Sequence, residues 1–251
     1  MLIPGIVSAT FKELSIDDVL KITEDTDLKA IEWSENHHIK LGNLEQARTT
    51  YQKTKDLGLE IASYGSYFRL GKEMDFLPSL KNAVAMNAPF IRIWAGDKPS
   101  ASVGSDEYKK IVEEAKLISR MAEDEAIVVS LEWHRNTLTD RNESALKFLE
   151  DVDSPFFRTF WQPSPEMDVV TRCKGLEMVS RYIENIHVYY WDESGRRPLK
   201  EGQEDWKSYM KLFDDRKHYA LLEFVKDNSV EQFKEDSEIF LKWIKGVWNN
   251  G

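Results

Sequence analysis

The chain has 251 residues, 41% of them hydrophobic, enough for one large core and close to the roughly 250 residues of an eightfold strand–helix barrel. Its 44 acidic and 34 basic side chains give a formal charge of −10 without a basic run, which speaks against a nucleic-acid partner. No apolar stretch approaches about 18 residues, the opening M-L-I-P-G-I-V lacks the basic start of a signal peptide, and the single cysteine, Cys173, excludes an internal disulfide; a cytoplasmic protein with no membrane contact is expected.

Strand-like and helix-like segments alternate along the whole chain. Short runs rich in β-branched and aromatic residues predict strands at 3–9, 29–34, 59–64, 89–94, 126–132, 157–161, 185–190 and 218–224. Ser15 caps a first helix, and Asn43 and Gly58 bound a second. Asp106 to Met121 is amphipathic, and a last helix runs from Val230 to about Trp248. Trp243 and Trp248 there are expected to pack against the body of the domain. The polar stretch 191–206 follows the seventh strand as the longest loop. Eight such units predict a single (β/α)8 TIM barrel over 1–251, since an open doubly wound sheet would want a Gly-rich turn after its first strand. The chain has A-T-F-K-E-L-S there instead.

Alternation in V-V-S-L-E-W-H puts Ser130, Glu132 and His134 on one face and Val129, Leu131 and Trp133 on the other. Three later strands end in metal-capable side chains on the same parity: Gln162, His187 and Glu223. Their spacing of about 30 residues is that of one strand plus one helix. In a closed barrel these strand ends converge on one pocket. Taken singly, each residue has a plain structural explanation, such as an ion pair, a core histidine or a loop cap. Together they predict a polar cluster of carboxylate, imidazole and amide oxygen suited to one divalent Mn, Mg, Co or Zn ion.

This ordered series resembles the xylose isomerase-like TIM barrels, the superfamily of sugar phosphate isomerases and epimerases that also holds the endonuclease IV branch. The resemblance runs from I-E-W near strand two to L-L-E-F in strand eight, and its specificity lies in order and spacing. It implies metal ligands at Glu132, Gln162, His187 and Glu223, with Glu132 and Glu223 also carrying protons. Gln162 stands where the family has an Asp, so the ligand set carries −2 rather than −3. The resemblance further implies substrate contacts from His38 or its neighbour His37, and from Arg196 or Arg197. Trp94 would wall the pocket, and His134 would bond substrate hydroxyls. Arg69 and Arg92 are softer candidates.

The activity implied is a divalent-metal-dependent isomerase or epimerase acting on a sugar or sugar phosphate through an enediolate. Two alternatives stand beside it: a metal-assisted dehydratase of a sugar or inosose, served by the same residues, and a non-catalytic sugar-binding barrel. The endonuclease branch would need more His ligands than five histidines and a charge of −10 suggest. An oligomer is compatible with any of these.

Overall fold

The computed structural model describes residues 1–248. Eight parallel strands close a barrel: β1 (Leu2–Val7), β2 (Ala30–Ser34), β3 (Glu60–Arg69), β4 (Phe90–Trp94), β5 (Val128–Leu131), β6 (Phe157–Trp161), β7 (Ile183–Val188) and β10 (His218–Leu222). The last strand pairs with the first, Ile6 opposite Leu222. Helices α1 (Ile16–Glu24), α2 (Leu44–Asp56), α3 (Leu77–Ala85), α4 (Ser105–Glu123), α5 (Asn142–Val152), α6 (Val169–Val179), α7 (Gln203–Met210) and α8 (Val230–Ile244) form the outer layer. Among the described residues no helix is long and apolar enough to cross a membrane. The fold is the single TIM barrel expected from the eightfold alternation.

Local chemistry sets the helix starts. Ser15 accepts from the Asp18 amide at 3.1 Å while Asp18 accepts from the Ser15 amide at 3.2 Å, a reciprocal cap. Asn43 caps α2 through the Gln46 amide. The last helix stops at Ile244 rather than near Trp248, because Gly246 adopts φ +75° and turns the chain. Trp248 then folds back to stack on Trp243 at 5.3 Å. The 191–206 stretch carries a small hairpin, β8 (Trp191–Asp192) with β9 (Gly195–Arg196), before α7 begins.

Strand parity divides the core in two. Outward residues such as Ile31, Trp33, Val129, Leu131, Ile186 and Leu222 pack under the helices in one large apolar cluster. Inside the barrel a smaller cluster of Val7, Ala30, Ala62, Tyr219 and Leu221 fills the space. Further along the same strands, inward positions become polar and stay buried: Glu32, Ser63, Arg92, Ser130, His187 and Glu223. Eight parallel strands thus carry their polar inward residues to the C-terminal end, where barrel chemistry is done.

Candidate active site

Glu132, Gln162 and Glu223 each stand one residue beyond a strand, after β5, β6 and β10, and His187 is the penultimate residue of β7. All four are buried. His187 is their hub. Its Nδ1 lies 2.9 Å from Gln162 Oε1 and 3.3 Å from Glu223 Oε2, and its Nε2 lies 3.5 Å from Glu32 Oε2. Gln162 is oriented by its other end, Nε2 donating to the Trp133 carbonyl at 2.6 Å. The Glu223 contact has the distance of an ion pair but not the angle of a hydrogen bond, so Glu223 Oε2 is a buried acceptor with no hydrogen-bond partner among the described residues.

Glu132 lies in a second network, joined to the first through Glu32. The Arg92 guanidinium, fully enclosed in the barrel, donates from Nη1 to Glu132 Oε2 and from Nε to Glu32 Oε1, the latter at 2.7 Å. Trp94 Nε1 donates to the same Glu132 oxygen at 2.5 Å, and Ser63 Oγ donates to Glu32 Oε2 at 2.6 Å. Room for this pair comes from Gly65, opposite Arg92 in the β3–β4 register. A Cβ there would sit 2.7 Å from Glu32 Oε1 and 2.8 Å from Arg92 Nη2.

The charges answer one another. Burial alone would raise the Glu32 carboxyl, but Arg92 and His187 overcome it and hold it at about 2. Burial would lower the His187 imidazole, yet the Glu223 and Glu32 carboxylates raise it to about 10. Arg92, desolvated but flanked by Glu132 and Glu32, is raised further above its ordinary value.

The other residues singled out by sequence fall at three distances from this centre. Trp94 stacks on His134 at 4.7 Å and carries the Arg69 guanidinium at 3.4 Å from its ring centroid. His134 Nδ1 lies 2.6 Å from the Arg135 carbonyl. A carbonyl only accepts, so Nδ1 bears a proton, and in the neutral ring the lone pair is on Nε2. His134 and Gln162 line one cavity of about 140 Å³ together with Trp191 and Phe224. Arg196 lies over the Phe224 and Trp191 rings at 4.9 and 5.7 Å. Arg197 pairs with Glu201 at 2.6 Å and Asp192 at 3.4 Å, so its charge is already answered. His38 is tucked under the β1–α1 connection, its Nε2 3.2 Å from the Leu14 carbonyl and its ring against Trp33. His37, the alternative, meets Tyr67 edge-on.

Glu32 is a central member of this cluster that strand-end reasoning passes over. It sits mid-strand in A-I-E-W-S, and the available signal was a lone acid on the inward parity of an otherwise apolar strand. Arg92, a softer candidate, has the same mid-strand placement.

Among the described residues no three His, Cys, Asp or Glu side chains come together as a ready metal set. Counting the amide oxygen changes the picture. His187 Nδ1 lies 2.9 Å from Gln162 Oε1 and 3.3 Å from Glu223 Oε2, separations that neighbouring ligands of one cation also show once Nδ1 has given up its proton. The unpartnered Glu223 oxygen is the kind of buried acceptor that a cation satisfies. These three residues fit a divalent ion; the Oε2 of the fourth, Glu132, is occupied by Arg92 and Trp94.

Comparison with known proteins agrees with this architecture. The chain is similar to 3-dehydroshikimate dehydratase of Bacillus anthracis, 23% identical over 265 residues that cover 93% of this chain and 94% of the relative. The crystal structure of the probable 3-DHS dehydratase from Bacillus anthracis superposes with a TM-score of 0.81 at 20% identity, covering 96% of this chain and 99% of that one. D-psicose 3-epimerase from Clostridium cellulolyticum H10 follows at 0.68 and 12%, covering 97% and 98%. The 3-keto-D-glucoside 4-epimerase from E. coli gives 0.70 and 11%, covering 98% and 100%. At these identities the structural likenesses speak for the fold. The model of the xylose isomerase-like TIM barrel matches residues 20–243, and the chain belongs to that family.

Proposed function

We propose that this protein removes water from a small hydroxylated ketone by single-base elimination beside the carbonyl. This is the dehydratase alternative of the sequence reading, placed ahead of the isomerase or epimerase. The observation that carries it is the asymmetry of the proton acceptors. Glu132 Oε2 is tied by Arg92 and Trp94, whereas His134, with Nδ1 on the Arg135 carbonyl, has no hydrogen-bond partner at Nε2 among the described residues. Epimerisation by two bases acting from opposite faces needs two free acceptors; with Glu223 assigned to hold the cation, His134 is the one left, and elimination needs one. The similarity to a 3-dehydroshikimate dehydratase over nearly the whole chain supports the same choice.

His134 Nε2 takes the proton from the carbon next to the carbonyl, and the C–H electron pair moves into the carbonyl as an enolate. The enolate collapses to a C=C bond as the C–O bond to the β-hydroxyl breaks. The departing oxygen takes the proton back from His134 and leaves as water, so the imidazole ends neutral. The stack on Trp94 and the Arg135 carbonyl hold the ring and its tautomer through both transfers. His187, Gln162 and Glu223 would hold a divalent ion, which when bound polarises the substrate carbonyl as a Lewis acid.

The test is an NMR screen in D2O of chelator-stripped, Mn²⁺-reloaded protein against 3-dehydroshikimate, common ketoses with their phosphates, and inososes. Loss of water from one of them is expected, with a His134→Gln variant slower by about 10²–10⁴. A ketose that gains solvent deuterium and inverts without losing water would overturn elimination and restore the two-base epimerase. That second reading is favoured by the unpartnered Glu223 oxygen. No bound divalent ion between pH 6 and 9 would sink the metal half.

A further inference from the structure

A cavity of about 350 Å³ is lined by none of the four strand-end residues. It lies beside the barrel mouth, between the β1–α1 connection, the β8–β9 hairpin and the β10–α8 connection. Lys12, Arg196, Phe224 and Asn228 line it, with Glu13 as the one acid among its lining residues. Phe224 also lines the 140 Å³ cavity of Gln162 and His134, so the two compartments share a wall.

That wall is held in an uncommon backbone conformation. Phe224 adopts φ +55°, which a bulky side chain rarely does, immediately after Glu223. Asp227 and Asn228 in the same connection are also left-handed, at +58° and +51°. Phe224 meets Trp191 at 5.1 Å and Tyr189 at 5.6 Å. Arg196 lies over two of these three rings and donates to Asn228 Oδ1 at 2.5 Å.

The two adjacent arginines of the hairpin differ in one respect. Arg197 is neutralised by Glu201 and Asp192. Arg196 has no carboxylate within 4.0 Å among the described residues, and neither has Lys12; the recorded hydrogen bond of Arg196 goes to a neutral amide. In a chain of charge −10, two unanswered cations facing one cavity against a single acid make a local positive site. The buried Thr10 hydroxyl, also in the lining, has no hydrogen-bond partner among the described residues.

We propose that this side compartment binds an anionic substituent of the substrate, a carboxylate or a phosphate, with Arg196 and Lys12 as its readers and Phe224 as the wall that sets its distance from the reacting carbon. The proposal rests on the reading of the neighbouring cavity as the reaction site, but its test reads binding and needs no turnover.

Affinities would be measured by quenching of tryptophan fluorescence for two matched pairs: shikimate against its methyl ester, and ribulose 5-phosphate against ribulose. Wild type, Arg196→Gln, Lys12→Gln and, as a control outside the cavity, Lys211→Gln would be compared. A charge-assisted contact predicts about ten- to a hundredfold preference for the anion in at least one pair. That preference should collapse in Arg196→Gln, weaken in Lys12→Gln and persist in Lys211→Gln, with unchanged melting temperatures. The pair that discriminates tells carboxylate from phosphate. Equal affinity within both pairs, or discrimination that survives Arg196→Gln, overturns the proposal. Anion preference without elimination of water would overturn the dehydratase reading alone.

Discussion

The barrel mouth has two unlike halves. On the β2–β5 side, Glu32, Arg92, Glu132, Trp94 and Ser63 form a closed network in which the fully enclosed guanidinium lies between two carboxylates. On the β6–β10 side, Gln162, His187 and Glu223 crowd together, yet one carboxylate oxygen remains unpartnered. A buried charge is tolerated when its partners are in place and is costly when one is removed. The first half therefore reads as prearranged scaffold, and the second as the side left open to a ligand.

The largest expected effect comes from opening the closed half. Arg92→Met leaves Glu32 and Glu132 buried without their cation and should cost about 3–5 kcal/mol in urea unfolding. A loss under about 1 kcal/mol would mean that the network stabilises nothing. A carboxylate outside the barrel calibrates that figure. Asp236 on α8 is buried with two donors, the Leu199 amide at 2.9 Å and Gln232 Nε2 at 3.0 Å, but no cation within 4.0 Å among the described residues. Burial outweighs both bonds and pushes it up to about 6. Because the folded value lies above the unfolded one, its contribution is full below about pH 4 and is lost as pH rises through about 6. Asp236→Asn should remove that slope, so its stability relative to wild type should rise by on the order of 2–3 kcal/mol between pH 4 and 8. A difference flat with pH would contradict the desolvation argument.

Two smaller changes sharpen the contrast. Trp94→Phe deletes one donor to Glu132 while keeping the ring that faces His134 and Arg69, and about 1–2 kcal/mol is expected from thermal melts. Glu223→Gln, on the open half, removes the stronger of the two carboxylates that hold the buried His187 at about 10, so the imidazole should titrate lower by NMR and the fold should lose about 1 kcal/mol or more. An unchanged His187 titration in Glu223→Gln would mean that the open half lacks this charge coupling.

The fold was legible because strand and helix periods alternate eight times, and because parity places apolar residues such as Val129 and Leu131 outward. The helix caps at Ser15 and Asn43 were legible for the same local reason. Boundaries were less so: β3 runs to Arg69 through an irregularity after Gly65 that no periodicity announces. At the site, the strand-end positions of Glu132, Gln162, His187 and Glu223 followed from spacing. Which of them are tied up did not, because that depends on Glu32 and Arg92, 60 positions apart and joined only by closure of the barrel. The choice between Arg196 and Arg197 likewise turned on which had acids folded against it.

The missing side chain at Gly65 bears on how this sequence can change over time. Replacing a buried ionic triad by well-packed apolar groups is often neutral or favourable when all members change together. Here the apolar volume would have to enter where Gly65 leaves just enough space for Glu32 and Arg92. Changing Glu32, Arg92 or Glu132 alone strands a charge, and enlarging Gly65 alone collides with the pair. Each single step is downhill in fitness even where the combined endpoint is not, so these four positions are expected to be bound by strong epistasis and to drift as a block.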